Sequence, residues 1–433
     1  MILVPNKKVL IITYYWPPAG GPGVQRVLKF AKYLPEFGWQ PVILTVKKGE
    51  FPAVDKTLEK DIPKECTVYK TNSWEPTYLY KNFTGIKKDE KVPIAVLSEK
   101  NLNWKKRRAN WIRLNLFIPD AKIGWIPFAV RQGKKIIRKH QPDIIFSSSP
   151  PPTVHLIAKK LAKWSGIKWV ADFRDPWTGI HYYRNARTNF AQKHDEYLER
   201  KVLAACDQIT CTSRHFLDLL AAPPNTPRQV ITNGYDEIDI TPDIKKGDKF
   251  TLVHVGGLTP NRFYRPFFSA IRKLIDAGKI PTDRIEIGLI GNVDQTVRSK
   301  LEQIFRNCPV LNFKGYLTHD AALTEMQSAQ ILLLFLEDIT GYWGHIPGKL
   351  FEYMSTKNPI LGIGSPQGDS AHILQQTNTG RIYRKTDSFE PVILQYYEQW
   401  KQHKIPVVNI EELGRYSRRN LTARLAALLE HLT

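Results

Sequence analysis

The chain has 433 residues, 42% of them hydrophobic and 11% aromatic, so it is long enough for two domains with apolar cores and is not disordered. Its formal net charge is +22, and residues 1–200 hold 36 Lys or Arg against 17 Asp or Glu, a surplus of 19 that indicates an anionic partner for this half. Four cysteines without CxxC or Cys/His spacing argue against a disulfide framework or a structural metal and fit a reducing compartment.

The N-terminal segment predicts a βαβ unit. A β-rich apolar run over Lys8–Thr13 is followed by a Pro/Gly loop over residues 17–23, a helix over 24–34 and a second strand over 41–45. Because the apolar run is short and stops at Pro17-Pro18, we expect a strand here and no signal peptide. No run approaches the roughly 20 apolar residues that cross a bilayer, so we expect a soluble or peripheral protein.

The same alternation of strands and helices continues along the chain. Strands are predicted over residues 143–147, 168–173, 208–212, 252–255, 285–290, 331–336 and 359–363, with helices over 154–164 and 190–205. This pattern predicts an α/β protein with two parallel sheets in two Rossmann-like domains, residues 1–240 and 249–400. The polar stretch 236–249 is predicted to link them. Residues 405–433 are predicted to form a C-terminal helix, which is a candidate for packing back on the first domain.

The loop AGGPGVQR, residues 19–26, is a candidate ligand site after the first strand. Gly20, Gly21 and Gly23 would let the backbone come close to a ligand, because they carry no side chain. The spacing is not GxGxxG, so the dinucleotide fingerprint is not met. The alternative is a tight turn without a ligand.

A basic and aromatic stretch runs from Trp104 to Lys139, with Asp120 as its one acidic residue. Its basic residues are Lys105, Lys106, Arg107, Arg108, Arg113, Lys122, Arg131, Lys134, Lys135, Arg138 and Lys139, and its interleaved aromatics are Trp104, Trp111, Phe117, Trp125 and Phe128. This mixture suits an interface with anionic lipid. The alternative is a solvated basic face whose aromatics point inward. No recognition motif supports a nucleic-acid partner.

The segment DFRDPWTGIH, residues 172–181, directly follows a predicted strand. Asp172 and Asp175 therefore lie where catalytic groups of such sheets belong, and we prefer Asp175 as the catalytic candidate. Asp–Arg pairs are also common structural scaffolds, and Arg174 lies between the two aspartates. His155 and His194 fall on predicted helices, where packed or solvated histidines are the more common case.

The stretch IPGKLFEYMSTKNPIL, residues 346–361, predicts a helix that starts near Gly348. The N–H groups of the first turn, from Gly348 to Leu350, have no partners within the helix, and the helix dipole adds positive potential there. With the charge of Lys349, this start predicts a diphosphate site, and Glu352 is placed to accept hydrogen bonds from a ribose diol. The alternative is ordinary helix capping.

These motifs together resemble glycosyltransferase family 4, whose enzymes have the GT-B fold of two Rossmann-like domains. The stretch at 346–361 is similar to the family's donor-binding signature, in the branch with the Pro-x-Lys-x-x-Glu-Tyr form. The segments YYWPPAGGPGVQRVLKFAKYL, ITNGYD and HVGGLTPNR are similar to its N-terminal loop and helix, its hinge and its first donor-domain loop. The resemblance covers most of the chain.

The resemblance assigns expected roles to single residues. Arg262 falls where the family places a basic residue on the diphosphate, whereas a second family arginine is replaced by Gly257, which remains a donor-loop position. The family often carries a first glutamate that would fall on Gly344, so this chain lacks it. The donor site implied by the resemblance therefore comprises Gly20, Gly21, Gly23, Gly257, Arg262, Gly348, Lys349, Leu350 and Glu352.

The implied activity is transfer of a sugar from a nucleoside diphosphate sugar to a sugar or lipid-linked alcohol, with retention of configuration and without a metal or other cofactor. Asp175, Asp172, Arg262 and Lys349 are the catalytic candidates. We expect a role in cell-surface polysaccharide or glycolipid synthesis and a cytoplasmic location, with the inner face of the cell membrane as a candidate position. The alternatives are a GT-B nucleotide-sugar epimerase and a non-catalytic sugar-nucleotide-binding protein.

Overall fold

The computed structural model describes residues 7–51, 53–75, 104–179, 187–236, 244, 246–337, 339, 341, 343–404 and 407–433. The chain forms two compact units. The first consists of Met1–Thr232 together with Arg418–Thr433, and the second of Asn233–Ser417.

The first unit contains a parallel sheet of seven strands in the order β5-β3-β1-β6-β7-β8-β9. The strands are β1 (Lys7–Ile12), β3 (Trp39–Val46), β5 (Thr67–Thr71), β6 (Ile144–Ser149), β7 (Trp169–Phe173), β8 (Gln208–Cys211) and β9 (Arg228–Val230). Two short strands, β2 (Ala19–Gly20) and β4 (Ala53–Val54), pair in an antiparallel ribbon beside it. The central strands β6 and β7 are buried along their whole length, as parallel strands covered on both faces must be.

Helices cover the faces of this sheet. They are Pro22–Tyr33, Trp104–Leu116, Ile126–His140, Thr153–Ser165, Asn189–Leu203, Arg214–Leu219 and Arg418–Leu432. Val24, Val27 and Leu28 of the first helix lie in one buried cluster with Ile11 of β1. The last helix packs against the first, and its buried leucines join the same cluster; they are Leu421, Leu425, Leu428 and Leu429.

The second unit contains a parallel sheet of six strands in the order β12-β11-β10-β13-β14-β15. The strands are β10 (Phe250–Val255), β11 (Ile285–Ile290), β12 (Leu311–Gly315), β13 (Ile331–Phe335), β14 (Ile360–Ile363) and β15 (Gly380–Tyr383). The helices are Arg265–Asp276, Gln295–Ile304, His319–Ser328, Gly348–Ser355, Asp369–Thr377, Phe389–Lys401 and Ile410–Gly414. One buried cluster includes Phe250, Phe267 and Phe335, and a second includes Leu350, Phe351 and Met354.

Both sheets confirm the predicted fold class, two Rossmann-like parallel-sheet domains. The predicted domain ranges, 1–240, 249–400 and 405–433, stay predictions. The linker predicted over 236–249 lies mostly outside the described residues, as do positions 405 and 406. None of the described helices has the length and apolar character that a membrane span requires.

Candidate functional site

In each parallel sheet, the order in which successive strands are added reverses beside the first strand of that unit. In the second unit, β10 lies between β11 and β13, and the sheet grows outward from β10 in both directions. The connections after β10 and β13 therefore leave on opposite faces and open a crevice at the carboxyl ends of these two strands, where ligands of such sheets bind. In the first unit, the corresponding point lies between β1 and β6.

The loop after β10 lies close to the loop after β11. Gly256 has a φ of 113°, a region that favours glycine, and its N–H donates to the Ile290 carbonyl at 2.8 Å. At Gly291, where φ is 109°, a Cβ atom would lie 2.7 Å from the Gly256 carbonyl oxygen. This close packing fixes the backbone of Gly256 and Gly257 at the crevice.

The helix Gly348–Ser355 begins at the same crevice, with Pro347 at its N-cap position. Gly348 is exposed, and a Cβ atom there would meet no heavy atom within 4 Å. The Leu350 N–H donates to the Pro347 carbonyl at 3.0 Å, and its side chain is fully buried in the core. Leu350 therefore anchors the first turn, while Gly348 leaves open space at the helix start.

Lys349 reaches from this helix to the end of β10. Its Nζ lies 3.4 Å from the Val255 carbonyl oxygen, and a Cβ on Gly256 would lie 3.7 Å from the same Nζ. Burial lowers the pKa of Lys349 to about 7; the charge of Arg262 acts in the same direction, and Glu352 opposes it. The structure thus brings Lys349, Arg262 and Glu352, three of the predicted donor-site residues, close enough for their charges to interact.

Arg262 also pairs with a residue that sequence reasoning missed. It lies in a short 3₁₀ turn, Pro260–Arg262, and its Nε is 3.3 Å from the Oε1 of Glu337. Both side chains are about one-third exposed. Glu337 follows β13 by two residues, so its position at a strand's carboxyl end was the signal that could have identified it.

Two buried polar side chains hold β10 against its neighbours. The Tyr353 hydroxyl, fully buried, accepts the Val255 N–H at 2.8 Å. The His254 Nδ1 donates to the Leu333 carbonyl at 2.9 Å, and burial lowers the pKa of this histidine well below its usual range, so the ring is neutral. These contacts fix the end of β10 to β13 and to the helix that carries Lys349.

In the first unit, Asp172 is fully buried and its carboxylate is saturated with donors. Arg26 binds it through both Nε, at 3.0 Å, and Nη2, at 2.7 Å. The hydroxyls of Ser148 and Thr210 add bonds of 2.6 and 2.7 Å. The Arg26 charge and these bonds outweigh burial and lower the pKa of Asp172. These contacts favour the structural interpretation of Asp172, and its catalytic role stays a prediction.

Arg174 ties the predicted glycine loop to β6 and β7. Its Nε donates to the Ser149 carbonyl at 2.7 Å, its Nη2 to Pro150 at 2.7 Å, and its Nη1 to the Gly23 carbonyl. Gly21 has a φ of 91° and precedes the helix Pro22–Tyr33, and a Cβ on Gly20 would lie 3.0 Å from Cβ of Asp55. These contacts hold the glycine loop beside the carboxyl ends of β1 and β6, where the strand order of the first sheet reverses.

Asp175 is half-buried and lines a cavity of about 70 Å³ in the first unit. Ser149, Trp177, Arg187 and Asp195 also line this cavity. His155 is fully buried and its Nδ1 lies 2.8 Å from the Ser147 hydroxyl, so it is a packed histidine. His181, the last residue of the predicted segment, lies outside the described residues.

Comparison with known proteins identifies the first half of the chain. Residues 23–237 match the family model described as Glycosyltransferase Family 4. These residues are a Glycosyltransferase Family 4 domain. The resemblance inferred from the sequence is thereby confirmed for these residues. The donor-binding motif at 346–361 lies outside the matched residues, so its assignment stays a prediction.

Solved structures show the same fold over nearly the whole chain. Alr3699/HepE from Anabaena, solved in complex with UDP, has 11% identity and a TM-score of 0.61, with 98% of this chain and 100% of that chain covered. Sucrose-phosphate synthase from Thermosynechococcus elongatus has 13% identity and a TM-score of 0.61, with 99% of each chain covered. The lipopolysaccharide outer core galactosyltransferase WaaB has 12% identity and a TM-score of 0.55, with 98% and 99% covered. These similarities show the GT-B fold. No curated protein sequence matches the chain significantly.

Proposed function

We propose that this glycosyltransferase moves a sugar from a nucleoside diphosphate sugar to an alcohol acceptor. The observation that carries the proposal is the convergence of Arg262, Lys349 and the open helix start at Gly348 on the carboxyl ends of β10 and β13. Two cations and a helix N-terminus at one switch point form a site for a diphosphate. The structural relative Alr3699/HepE has been solved with UDP and with UDP-glucose, which supports this class of donor.

In the proposed reaction, the bond between the anomeric carbon and the diphosphate oxygen breaks, and a bond from that carbon to the acceptor oxygen forms. The leaving diphosphate gains negative charge, which Lys349, Arg262 and the helix start would stabilise. The acceptor hydroxyl loses its proton to the departing diphosphate or to a side chain such as Asp175. These residues supply positive charge without a metal ion, and we propose a retaining, metal-independent mechanism.

The ribose would be held by Glu352, which lies one turn into the same helix and is half-buried. Its carboxylate is close enough to Lys349 to favour the charged form of that lysine and raise its pKa, which supports a position beside the proposed diphosphate site. Gly344 stands where the family often has a glutamate, and Glu337 is the acidic side chain at the adjoining strand end. We propose a lipid-linked acceptor in cell-surface polysaccharide or glycolipid synthesis, at the cytoplasmic face of the membrane.

A turnover screen tests the proposal. UDP-, GDP- and dTDP-sugars are supplied with polyprenyl-phosphate-linked sugar acceptors, and the products are separated by mass. We expect one donor class to be consumed with the acceptor gaining one sugar, and Lys349→Met to abolish this. Failure of all donors to bind or to react would overturn the proposal. Formation of an isomeric sugar nucleotide from donor alone would identify an epimerase, and donor binding without any product would identify a binding protein.

A further inference from the structure

Exposed apolar side chains are concentrated on one helix of the first unit. Trp104, Trp111, Ile112 and Leu116 of the helix Trp104–Leu116 are 61%, 52%, 41% and 65% exposed. Arg107 and Arg108 are exposed on the same helix, and the Arg108 guanidinium lies 5.8 Å from the Trp104 ring centroid. A water-exposed helix face normally avoids large apolar side chains, so this face is suited to a partner.

A second helix, Asn189–Leu203, carries a matching stripe that the sequence analysis did not identify. Phe190, His194, Tyr197 and Lys201 follow one another at intervals of four, three and four residues, which places them along one side of the helix. The rings of Phe190 and His194, and those of His194 and Tyr197, are stacked with centroids 6.4 Å apart. Lys201 Nζ lies 5.5 Å from the Tyr197 ring, and Phe190 is 79% exposed.

The two helices that carry the stripes are joined by a side-chain hydrogen bond where the stripes end. Asn115, in the last turn of the first helix, accepts the Thr188 N–H at 2.7 Å through its side-chain oxygen, and Thr188 is the N-cap of the second helix. This bond joins the end that carries Leu116 to the end that carries Phe190. We call the exposed residues of the two stripes the aromatic–basic surface: Trp104, Arg107, Arg108, Trp111, Ile112, Leu116, Phe190, His194, Tyr197 and Lys201.

The charge around this surface is positive. The helices Trp104–Leu116, Ile126–His140 and Thr153–Ser165 hold five, five and three Lys or Arg residues and no Asp or Glu. On Asn189–Leu203, Asp195 and Glu199 are buried and accept hydrogen bonds from Trp177 and Thr178, and half-buried Glu196 accepts one from Gln192 at 2.9 Å. Burial, together with the charges of Lys201, Lys163 and Lys160, lowers the pKa of Lys159, so the cations are crowded.

We propose that the aromatic–basic surface docks on a lipid bilayer that carries anionic headgroups. The cations would contact the headgroups, while Trp111, Leu116 and Phe190 enter the boundary between headgroups and acyl chains. Nucleic acid fits less well, because aliphatic side chains such as Ile112 and Leu116 gain burial in hydrocarbon and have no comparable partner on a phosphate backbone. The role of this surface, which is to bring the enzyme to a lipid-linked acceptor, rests on the proposed function; the membrane docking itself does not.

Sedimentation with vesicles tests this surface on the full-length protein. We expect binding to vesicles of phosphatidylcholine mixed with phosphatidylglycerol, little binding to phosphatidylcholine alone, and loss of binding at about 1 M salt. The double variant Trp111→Ala/Phe190→Ala should bind the mixed vesicles at least about tenfold more weakly. Arg107→Glu/Arg108→Glu should remove the preference for the anionic lipid. Tyr316→Ala, which alters a 91%-exposed tyrosine of the second unit, is the matched control and should bind like the wild type.

Three other outcomes of these experiments would contradict the proposed docking surface. Equal failure of the wild type on both vesicle types, or unchanged binding by the Trp111→Ala/Phe190→Ala variant, would overturn it. Tight binding of single-stranded RNA that Trp111→Ala/Phe190→Ala weakens, together with no vesicle binding, would assign the surface to nucleic acid instead. Every variant should keep the wild-type melting temperature and turn over a soluble donor normally. Vesicle binding without donor turnover would contradict the proposed function alone, and turnover without vesicle binding would contradict the surface alone.

Discussion

At the scale of single residues, the site of the second unit depends on cations whose neighbours are also charged. Lys349 and Arg262 repel each other, and Glu337 and Glu352 offset part of that repulsion. An anionic ligand would relieve the repulsion that remains. The start of this helix and its lysine could be predicted from sequence, because both depend on adjacent residues. The Arg262–Glu337 pair could not, because the two residues are 75 positions apart in the chain (337 − 262) and meet only in the folded sheet.

The lowered pKa of Lys349 predicts that diphosphate binding takes up a proton. In the free protein this amine is mostly neutral above pH 7, whereas a bound diphosphate favours its charged form and raises its pKa. Between pH 8 and 9 we therefore expect UDP binding to take up close to one proton, and its affinity to fall by up to about tenfold per pH unit. Calorimetry in two buffers of different ionisation enthalpy measures the proton count.

Lys349→Met is the control for this prediction. It should bind UDP about 10- to 100-fold more weakly at pH 7 and take up no proton, because the titrating amine is gone. An equal proton uptake by wild type and variant would show that another group titrates. If the affinity of the wild type for UDP fell as the pH rose but binding took up no proton, the proposed link between binding and protonation of Lys349 would be wrong.

Changing Asp172, in β7, and Asp175, just after it, to asparagine should have different effects on stability and activity. Asp172→Asn leaves buried Arg26 with an incomplete partner, and removing one member of a buried ion pair costs about 3–5 kcal/mol, so we expect a large fall in the free energy of unfolding. Asp175→Asn should leave the melting temperature within a few degrees and lower kcat, if Asp175 acts on the acceptor. Urea unfolding and donor turnover measure the two effects. A stable but inactive Asp172→Asn variant would reverse the assignment.

At the scale of elements, the predictions succeeded for central strands and failed for edge strands. β1, β6, β10 and β13 are mostly buried, and each contains an apolar segment that the sequence shows, such as Val9–Ile12 in β1 and Ile331–Phe335 in β13. Besides the two-residue strands β2 and β4, the strands that were not predicted are β5, β9, β12 and β15, which form the two edges of each parallel sheet. Their residues are mostly half-buried or exposed, so they lack the apolar run that marks a strand.

The contact between the loops after β10 and β11 predicts a paired effect of two glycine substitutions. Gly291→Ala places a Cβ against the Gly256 carbonyl and should displace the donor loop, lowering UDP affinity about tenfold or more in addition to destabilising the unit. Gly278 also has a positive φ, of 67°, which an L residue adopts at a modest cost, and a Cβ there meets no atom within 4 Å. Gly278→Ala should cost about 1 kcal/mol of stability and leave UDP affinity unchanged.

Fluorescence or calorimetric titration with UDP checks this pair, with urea unfolding as the measure of stability. Equal loss of affinity in both variants would mean that general destabilisation weakens binding, and the contact of Gly291 with the donor loop would then have no specific role.

At the scale of the whole molecule, each unit has its own buried core, and the chain returns to the first unit at its C-terminal end. The helix Arg418–Leu432 contributes its buried leucines to the core around Val24 and Leu28. Its amphipathic pattern could be predicted locally, but which core it completes is a long-range property, because its partners lie about 400 residues earlier in the chain.

Weakening this helix should therefore destabilise the first unit and leave the proposed donor site of the second unit intact. Leu425→Ala/Leu429→Ala removes two fully buried side chains, each of which costs about 2–5 kcal/mol, whereas His431→Ala alters an exposed residue of the same helix. In differential scanning calorimetry with and without UDP, we expect the double variant to unfold in two transitions, the lower one insensitive to UDP and the upper one raised by it. His431→Ala should unfold like the wild type. A single transition, lowered as a whole and still raised by UDP, would show that the two units unfold cooperatively and that the C-terminal helix stabilises both.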